Sequence, residues 1–257
     1  MTFQVLISTL NNNPRELVKR MGVDSDAIII NQCNKKSEEK FTYKKHSIQV
    51  FNTTDRGIGK SRKMALSLAN ADIVLFADDD EKLEHDYSKM VSEDFDVNPD
   101  VDFFIYDITD NTSGSPRTTK NICKKTRVRW FNSLKYGTKR FAVRRESVTE
   151  KGITFNEDFG ASKYGHGEDT IFIHDCLKNG LKIFTIPKTI AAISFSNSTW
   201  FNGYDKKYYE DTGALFGKCF GKCAVPLLKI QARRLSWKKE QKNAAINGYY
   251  NFTKRRK

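Results

Sequence analysis

Three consecutive aspartates, Asp78, Asp79 and Asp80, directly follow the apolar segment IVLFA. Adjacent carboxylates repel one another and are poorly solvated where a buried strand ends. A divalent cation relieves this repulsion, and carboxylate oxygens suit Mg²⁺ or Mn²⁺. Because side chains alternate along a strand, we expect Asp78 and Asp80 to point the same way and Asp79 to point away. The alternative interpretation is an acidic turn that holds no metal.

A second motif, Gly59-Lys60-Ser61, resembles the end of a phosphate-binding P-loop. A P-loop needs another glycine five positions before Gly59, and Thr54 stands there. Such a loop has too few amides to enclose a triphosphate, so the sequence favours the aspartates as the nucleotide-binding feature. Lys60 and Arg62, in the first turn of a predicted helix, can still reach phosphates near the helix N-terminus.

A second pair of acids, Glu168 and Asp169, stands at the start of a helix predicted over Asp169–Asn179. Acids in a first turn complement the helix dipole, but a carboxylate beside a bound sugar can also act as a general base. The nearby His166 is either a further metal ligand or a polar loop residue. Trp200 could stack on a sugar ring or pack against the sheet.

Alternating strand and helix patterns over the first hundred residues predict an α/β fold with a mainly parallel sheet flanked by helices. The predicted strands are Phe3–Ser8, Ala27–Gln32, Ile48–Asn52, Asp72–Ala77 and Val101–Tyr106. Ligands bind beyond the carboxyl ends of the strands in such sheets. Thr9–Asn11, Asn31–Gln32 and Asp78–Asp80 are therefore expected to line one crevice. Residues 111–129 are predicted to form a long loop.

The 257 residues carry a net charge of +13, which is concentrated at the C-terminal end. From Lys218 onward there are twelve basic residues and one acid. The sequence therefore predicts a domain over residues 1–217 and a basic amphipathic helical tail over residues 218–257, in which Pro226 separates two short helices. The tail either packs on the domain with a solvated basic face or binds an anionic membrane surface. No nucleic-acid partner is expected, since no nucleic-acid-binding module is recognisable.

The cysteines and the lengths of the apolar segments indicate where in the cell the protein is located. The five cysteines are odd in number and scattered, which favours a reducing cytosol over a disulfide framework. The start MTFQVLIST does not resemble a signal peptide, and no apolar run approaches the length of a membrane span. We therefore expect a cytoplasmic protein that associates peripherally with the inner face of the cell membrane through its tail.

Several stretches together resemble a known family. In order, TLNNNP, GIGKSRKMALSLANADIVLFADDD, GHGEDTIF and GLKI are similar to the family 2 nucleotide-sugar glycosyltransferases of the GT-A fold. The stretches FAVRRESV, ITFNEDFG and STWFNGYDKKYYEDTGALF resemble a bacterial branch that builds capsular or other surface polysaccharides. The resemblance covers residues 3–217.

The resemblance implies a GT-A (Rossmann-like) fold, a Mn²⁺ or Mg²⁺ cofactor and an inverting transfer of a hexose from a UDP-sugar to a glycan acceptor. If the tail binds an anionic membrane surface, the acceptor is expected to be lipid-linked. Asp80 would bind the metal together with Asp78, and Asp169 would be the base with Glu168 beside it. The resemblance also implies that Thr9, Asn11, Asn31, Gln32, Arg62 and Asp78 bind the nucleotide. From their own chemistry and position, Lys60 and Asp79 are added to the nucleotide-binding residues, and His166 and Trp200 are assigned to the acceptor or sugar side.

One departure from the family pattern concerns the base of the nucleotide. Many members carry an acidic residue after the second strand, where this chain has Asn31 and Gln32. An amide can still bond the edge of uracil. The sequence leaves two alternatives to a transferase open: a P-loop-like nucleotide hydrolase, and a domain that binds a sugar nucleotide without turnover.

Overall fold

The computed structural model describes residues 1–110, 121–136, 140–193 and 203–254. They form a ten-stranded sheet with helices on both faces. The strands are β1 (Phe3–Leu10), β2 (Asp26–Gln32), β3 (Ser37–Tyr43), β4 (His46–Thr53), β5 (Ile73–Asp78), β6 (Glu81–Leu83), β7 (Phe103–Asp110), β8 (Thr126–Arg127), β9 (Arg140–Arg144) and β10 (Ile183–Ile193). The helices are α1 (Pro14–Met21), α2 (Ile58–Leu68), α3 (Tyr87–Asp96), α4 (Arg145–Thr149), α5 (Glu168–Lys178), α6 (Lys206–Phe220), α7 (Ala224–Arg234) and α8 (Lys239–Lys254).

The sheet is mixed and mainly parallel, as the sequence predicts. Its strand order is β3-β4-β2-β1-β5-β9-β7-β10-β6, and β8 pairs with β10. The four adjacent strands β4, β2, β1 and β5 are parallel to one another, and β7 is parallel to β10. Strand β9 runs antiparallel between β5 and β7. The central strands are apolar along their length because helices cover both of their faces.

A cluster of phenylalanines fixes α5 against the sheet. Phe172 of α5 stacks on Phe155 with 4.2 Å between ring centroids and an angle of 3° between ring planes. Phe76 of β5 meets both of these rings edge-on, and Phe141 of β9 lies against all three. Aromatic pairs in such geometries stabilise a core beyond the area that they bury. The cluster therefore holds the first turn of α5 close to the carboxyl end of β5.

The C-terminal region is helical, as predicted, but its break differs from the prediction. A 3₁₀ turn over Gly221–Cys223 separates α6 from α7, whereas Pro226 lies in the first turn of α7, where a missing N–H costs no helical hydrogen bond. The predicted boundary after residue 217 falls within α6, and the division into a domain and a tail stays a prediction. Within the described residues, no helix combines the length and the apolar character that a membrane span needs. Of the predicted loop, residues 111–120 lie outside the described ranges, and β8 lies within the remainder.

Candidate functional site

The carboxyl ends of β1, β2 and β5 meet at one edge of the sheet. Parallel register sets Thr9 beside Asn31 and Ser8 beside Asp78. The three segments that the sequence assigned to one crevice therefore do lie together, because adjacent parallel strands end on the same side.

Three acids form a cluster just beyond β5. Asp78, Asp80 and Glu81 each offer an oxygen atom, and these atoms all lie within 4.8 Å of one another. Asp79 turns away, as predicted, and its Oδ2 accepts hydrogen bonds from Thr9 Oγ1 at 2.6 Å and from Asn12 Nδ2 at 2.9 Å. In this turn, Asp78, Asp80 and Glu81 thus form a cluster of the kind that binds a cation, whereas Asp79 bonds to the loop after β1.

A buried arginine joins this cluster to the acids of α5. Arg62 of α2 donates from Nη2 to Asp78 Oδ1 at 2.9 Å, and its Nη1 contacts Glu168 Oε1 at 3.4 Å. The same Nη1 also contacts Asp169. Glu168 and Asp169 are both buried. The acids after β5 and the acids at the start of α5, although far apart in sequence, therefore belong to one site.

A second buried arginine, Arg140 of β9, was missed from the sequence. Its Nη2 lies 3.0 Å from Asp78 Oδ2, and its Nε contacts Glu81. The pairing of β9 between β5 and β7 brings it there, and the order of strands in a sheet has no local sequence signal. Glu81 was also missed, although it directly follows Asp80 and could have been grouped with the aspartates.

Acidic side chains outnumber guanidinium groups in the described site. Five acids (Asp78, Asp80, Glu81, Glu168 and Asp169) face two guanidinium groups. Among the described side chains, the buried atoms Asp80 Oδ1 and Glu81 Oε2 have no hydrogen-bond partner. Buried carboxylates are costly unless they are paired or bound to a metal. The residues therefore fit a hard divalent cation at Asp78, Asp80 and Glu81.

The pKa values of these acids follow their surroundings. Burial, helped by the neighbouring charge of Asp78, raises the pKa of Asp80 to about 6. Burial also acts on Asp78, but Arg62 and Arg140 hold its pKa below the usual value. Burial raises the pKa of both Glu168 and Asp169, against the opposing charge of Arg62. Asp78 is thus the carboxylate most firmly kept ionised by the protein itself.

The GKS motif is a packing element rather than a phosphate loop. A Cβ atom on Gly59 would lie 2.4 Å from the carbonyl oxygen of Asn156, so the glycine permits a close approach of two backbones. Backbone amides at the N-terminal end of α2 already donate hydrogen bonds within the protein. Gly57 N–H donates to Gln32 Oε1 at 2.7 Å, and Ile58 N–H donates to Gly160 O at 2.9 Å. These amides are not free for a triphosphate, which argues against a P-loop.

The remaining predicted nucleotide-binding residues surround the crevice. Asn31 is buried and donates from Nδ2 to Asn52 Oδ1 at 2.9 Å and to Asn12 O at 3.1 Å. Thr9 is buried, Asn11 is exposed with φ 52°, and Lys60 is half-buried in the first turn of α2. Their contacts to a nucleotide stay predictions.

Of the two residues predicted on the acceptor side, His166 lies within the described residues. His166 lies against α6, where its Nε2 is 3.2 Å from Thr212 Oγ1 and its ring stacks on Tyr208. It is outside the acidic cluster of the described residues, which favours the polar loop interpretation over a metal ligand. Burial lowers the pKa of His166 to about 4. Trp200 lies outside the described residues.

Comparison with known proteins defines the class. A family model described as Glycosyl transferase family 2 matches residues 15–153, more than half of the chain. The chain therefore belongs to glycosyltransferase family 2, and it is a nucleotide-sugar glycosyltransferase. This membership rejects the alternative of a P-loop-like hydrolase.

Solved structures show the fold in more detail. Residues 1–349 of S. aureus TarS in complex with UDP-GlcNAc match with a TM-score of 0.69 and 16% identity, over 98% of this chain and 80% of that one. The mannosyltransferase PcManGT from Pyrobaculum calidifontis, in complex with GDP-Man and Mn²⁺, matches with a TM-score of 0.56 and 13% identity, over 98% and 86% of the chains. The fold is therefore GT-A, as predicted. A search of curated protein sequences found no significant match.

Proposed function

We propose that this glycosyltransferase moves a hexose from a UDP-sugar to a glycan acceptor with inversion of the anomeric centre. One observation carries the proposal: Arg62 connects a cluster of acids that fits a divalent cation to the buried carboxylate of Asp169. A site with both groups can favour departure of a diphosphate and also accept a proton from an attacking hydroxyl.

The donor is proposed to lie across the carboxyl ends of β1, β2 and β5. The complex of TarS with UDP-GlcNAc supports a uridine nucleotide, although PcManGT was solved with GDP-Man. We assign the nucleoside to Thr9, Asn11, Asn31 and Gln32. Lys60 and Arg62 are assigned to the diphosphate together with the turn at Asp78 and Asp79.

Asp80 and Asp78 are the proposed ligands of a Mn²⁺ or Mg²⁺ ion, and Glu81 lies close enough to assist. When bound, such an ion neutralises the negative charge that builds up on a leaving diphosphate. The excess of acids over guanidinium groups and the unpartnered oxygens of Asp80 and Glu81 support this role. The Mn²⁺ in the PcManGT complex is consistent with it.

Asp169 is the proposed general base. Its carboxylate, held by Arg62 at the start of α5, takes the proton of the acceptor hydroxyl as that oxygen attacks the anomeric carbon. A single displacement from the face opposite the diphosphate inverts the configuration. Glu168 is its buried neighbour on the same guanidinium.

The acceptor is proposed to be a lipid-linked glycan of a bacterial surface polysaccharide, approached at His166 and Trp200. The resemblance of the chain to enzymes of capsule synthesis supports this class. The basic C-terminal helices would bring the protein to the anionic inner face of the cell membrane, where such acceptors lie.

Release of free nucleotide tests the proposal. We expect one UDP-sugar from a panel to yield UDP in the presence of Mn²⁺, with an increase on addition of acceptor glycan. EDTA should abolish release, and excess Mn²⁺ should restore it. Metal-dependent binding without release, even with acceptor, would instead indicate a domain that binds sugar nucleotides without turnover. Equal release with and without EDTA would contradict the metal role.

A further inference from the structure

The start of α5 carries the proposed base, yet it has no side-chain cap of its own. The residue before the helix is Gly167, with φ 112°, and it makes no side-chain capping bond. A capping side chain commonly satisfies the N-terminal amides of a helix and stabilises its first turn. Contacts to the segment Gly165–Gly167 therefore contribute to the positions of Glu168 and Asp169, beside the packing of Phe172 and the bonds from Arg62.

Helix α6 holds all three residues of that segment. Gly165 N–H donates to Asp211 Oδ2 at 2.8 Å, and His166 Nε2 lies 3.2 Å from Thr212 Oγ1. A Cβ atom on Gly167 would lie 2.9 Å from Leu215 Cδ1, so this side chain packs directly on the glycine. One face of α6 thus contacts three successive residues before the base.

Among these contacts, that of Asp211 is the charged one. The residue is 3% exposed, and its other oxygen, Oδ1, pairs with Lys207 one turn earlier. Hydrogen bonds that a carboxylate accepts from backbone amides are stronger than neutral ones. A buried carboxylate also tolerates little displacement, because it loses its partners when it moves.

Helix α8 in turn packs directly against α6. A Cβ atom on Gly213 would lie 1.8 Å from Ala245 O, and one on Gly248 would lie 2.0 Å from Glu210 O. The two helices therefore touch backbone to backbone. Phe252 of α8 also packs among Phe159 and Tyr164, on either side of the turn that precedes Gly165.

We propose that Asp211 is a positioning residue for the transfer reaction. Its carboxylate holds Gly165 and thereby sets the first turn of α5, in which Asp169 meets Arg62. The inference rests on the proposed role of Asp169 as the base, but its structural part can be measured independently of activity.

The test compares Asp211→Ala with Asp211→Asn and with Glu210→Ala. Glu210 is the adjacent residue of α6 and pairs with Lys206 across one turn, as Asp211 does with Lys207, so it is a control for the loss of such an ion pair from α6. Asn can still accept the bond from Gly165 N–H, whereas Ala cannot. Hydrogen–deuterium exchange over residues 161–169 should be faster in Asp211→Ala and close to wild type in the other two.

Steady-state kinetics give the second measurement. A misplaced base should lower kcat by about 10²-fold in Asp211→Ala, while the donor KM changes by less than about twofold because the nucleotide contacts are untouched. Asp211→Asn should recover most of the lost kcat, and Glu210→Ala should match the wild type. If Asp211→Ala fails to fold, the Asp211→Asn variant decides between the outcomes. Normal exchange and a normal kcat in Asp211→Asn support the bond to Gly165. Faster exchange over residues 161–169 in Asp211→Asn overturns the positioning role of Asp211.

Failure of the two ideas can be told apart. A wild-type chain that releases no nucleotide from any donor contradicts the proposed function, and exchange over residues 161–169 then decides the positioning role alone. Equal exchange in Asp211→Ala and Glu210→Ala would overturn the positioning role. So would a higher donor KM with unchanged kcat.

Discussion

At the scale of single residues, Arg62 sets the character of the site. One guanidinium contacts three carboxylates while almost entirely removed from water. Removing one partner of a buried pair is far more costly than the net stabilisation that the pair provides, because the remaining charge stays buried. A bidentate fork suits this task, since a lysine presents a single point of charge. Arg62 is therefore required for the structure of the crevice whatever it contributes to donor binding.

Replacement of Asp169 by Asn tests the base at this scale. The amide oxygen can still accept from Arg62, so donor binding should persist, but the side chain can no longer take a proton. Turnover should fall by about 10²–10⁴-fold, as for the loss of a general base. Calorimetry of the donor and a nucleotide-release assay measure the two quantities.

Asp175→Asn is the matched control, because Asp175 lies on the same helix but lines a different cavity with Lys151 and Lys218. Its turnover should equal that of the wild type. Normal transfer by Asp169→Asn would show that the proton goes elsewhere.

Part of the site could be predicted from single residues and part could not. Asp78, Asp80 and Asp169 stand next to strong local patterns, an apolar strand and an apolar-striped helix, so their positions follow from the period of those patterns. Arg140 stands in an ordinary strand, and only the insertion of β9 between β5 and β7 brings it to Asp78. Such pairing depends on distant segments that have no shared sequence signal.

At the scale of elements, the crossing of α6 and α8 brings two helix backbones into direct contact. Glycines at Gly213 and Gly248 let the backbones meet where any side chain would collide with a carbonyl group. Phe216 of α6 and Ala244 and Ala245 of α8 belong to one buried cluster beside the crossing. The stability of this pair therefore depends on the absence of side-chain atoms at two positions.

Gly248→Ala should destabilise the protein. In an uncrowded helix this change would stabilise by about 1 kcal/mol, because alanine has the higher helix propensity. Here the new methyl group would meet Glu210 O, and overpacking of this kind costs about 1–3 kcal/mol. Urea unfolding measures the free energy of unfolding.

The control is Asn247→Ala, at the exposed neighbouring position of α8, which should change stability by less than about 0.5 kcal/mol. A gain in stability for Gly248→Ala would show that the helices can separate without cost.

The elements themselves were predictable where their patterns were long. The buried strands β1, β2, β4 and β5 and the helix α5 agree with the predicted segments to within a few residues. Strand β3, which is largely exposed, was missed because a solvated edge strand lacks the apolar signal. The break after α6 was assigned to Pro226, since the sequence alone does not tell a helix-ending proline from one in a first turn.

At the scale of the whole molecule, basic residues gather on α7. Lys229, Arg233 and Arg234 are exposed, whereas Leu228 belongs to the buried cluster with residues of α8 and Ala232 is also buried. Ile230 and Leu235 are 61% and 53% exposed. The helix therefore packs on the protein and also offers a basic face with apolar side chains, so the two interpretations of the tail are compatible.

A triple reversal, Lys229→Glu with Arg233→Glu and Arg234→Glu, should weaken binding to vesicles that contain anionic lipid. Each basic residue near such a surface contributes about 1 kcal/mol, so loss of three should lower the partition coefficient by at least about 10²-fold. Flotation with anionic and with neutral vesicles measures this, and the folded core stays intact because the three side chains are exposed.

The control reverses Lys35, Lys36 and Lys40, which are equally exposed and lie at the far edge of the sheet around β3. That variant has the same net charge and should float like the wild type. Equal recovery of both variants would remove the membrane role of α7.

The support that α8 gives to α6 has a consequence for how the protein matures. Chains fold progressively as they emerge from the ribosome, and contacts between distant segments form late. The strands that line the crevice are made early, whereas α8 emerges long after α5. A nascent chain can thus have a complete donor crevice while the segment before Asp169 still lacks its support, and competence for transfer would arise only once α8 has emerged and packed on α6.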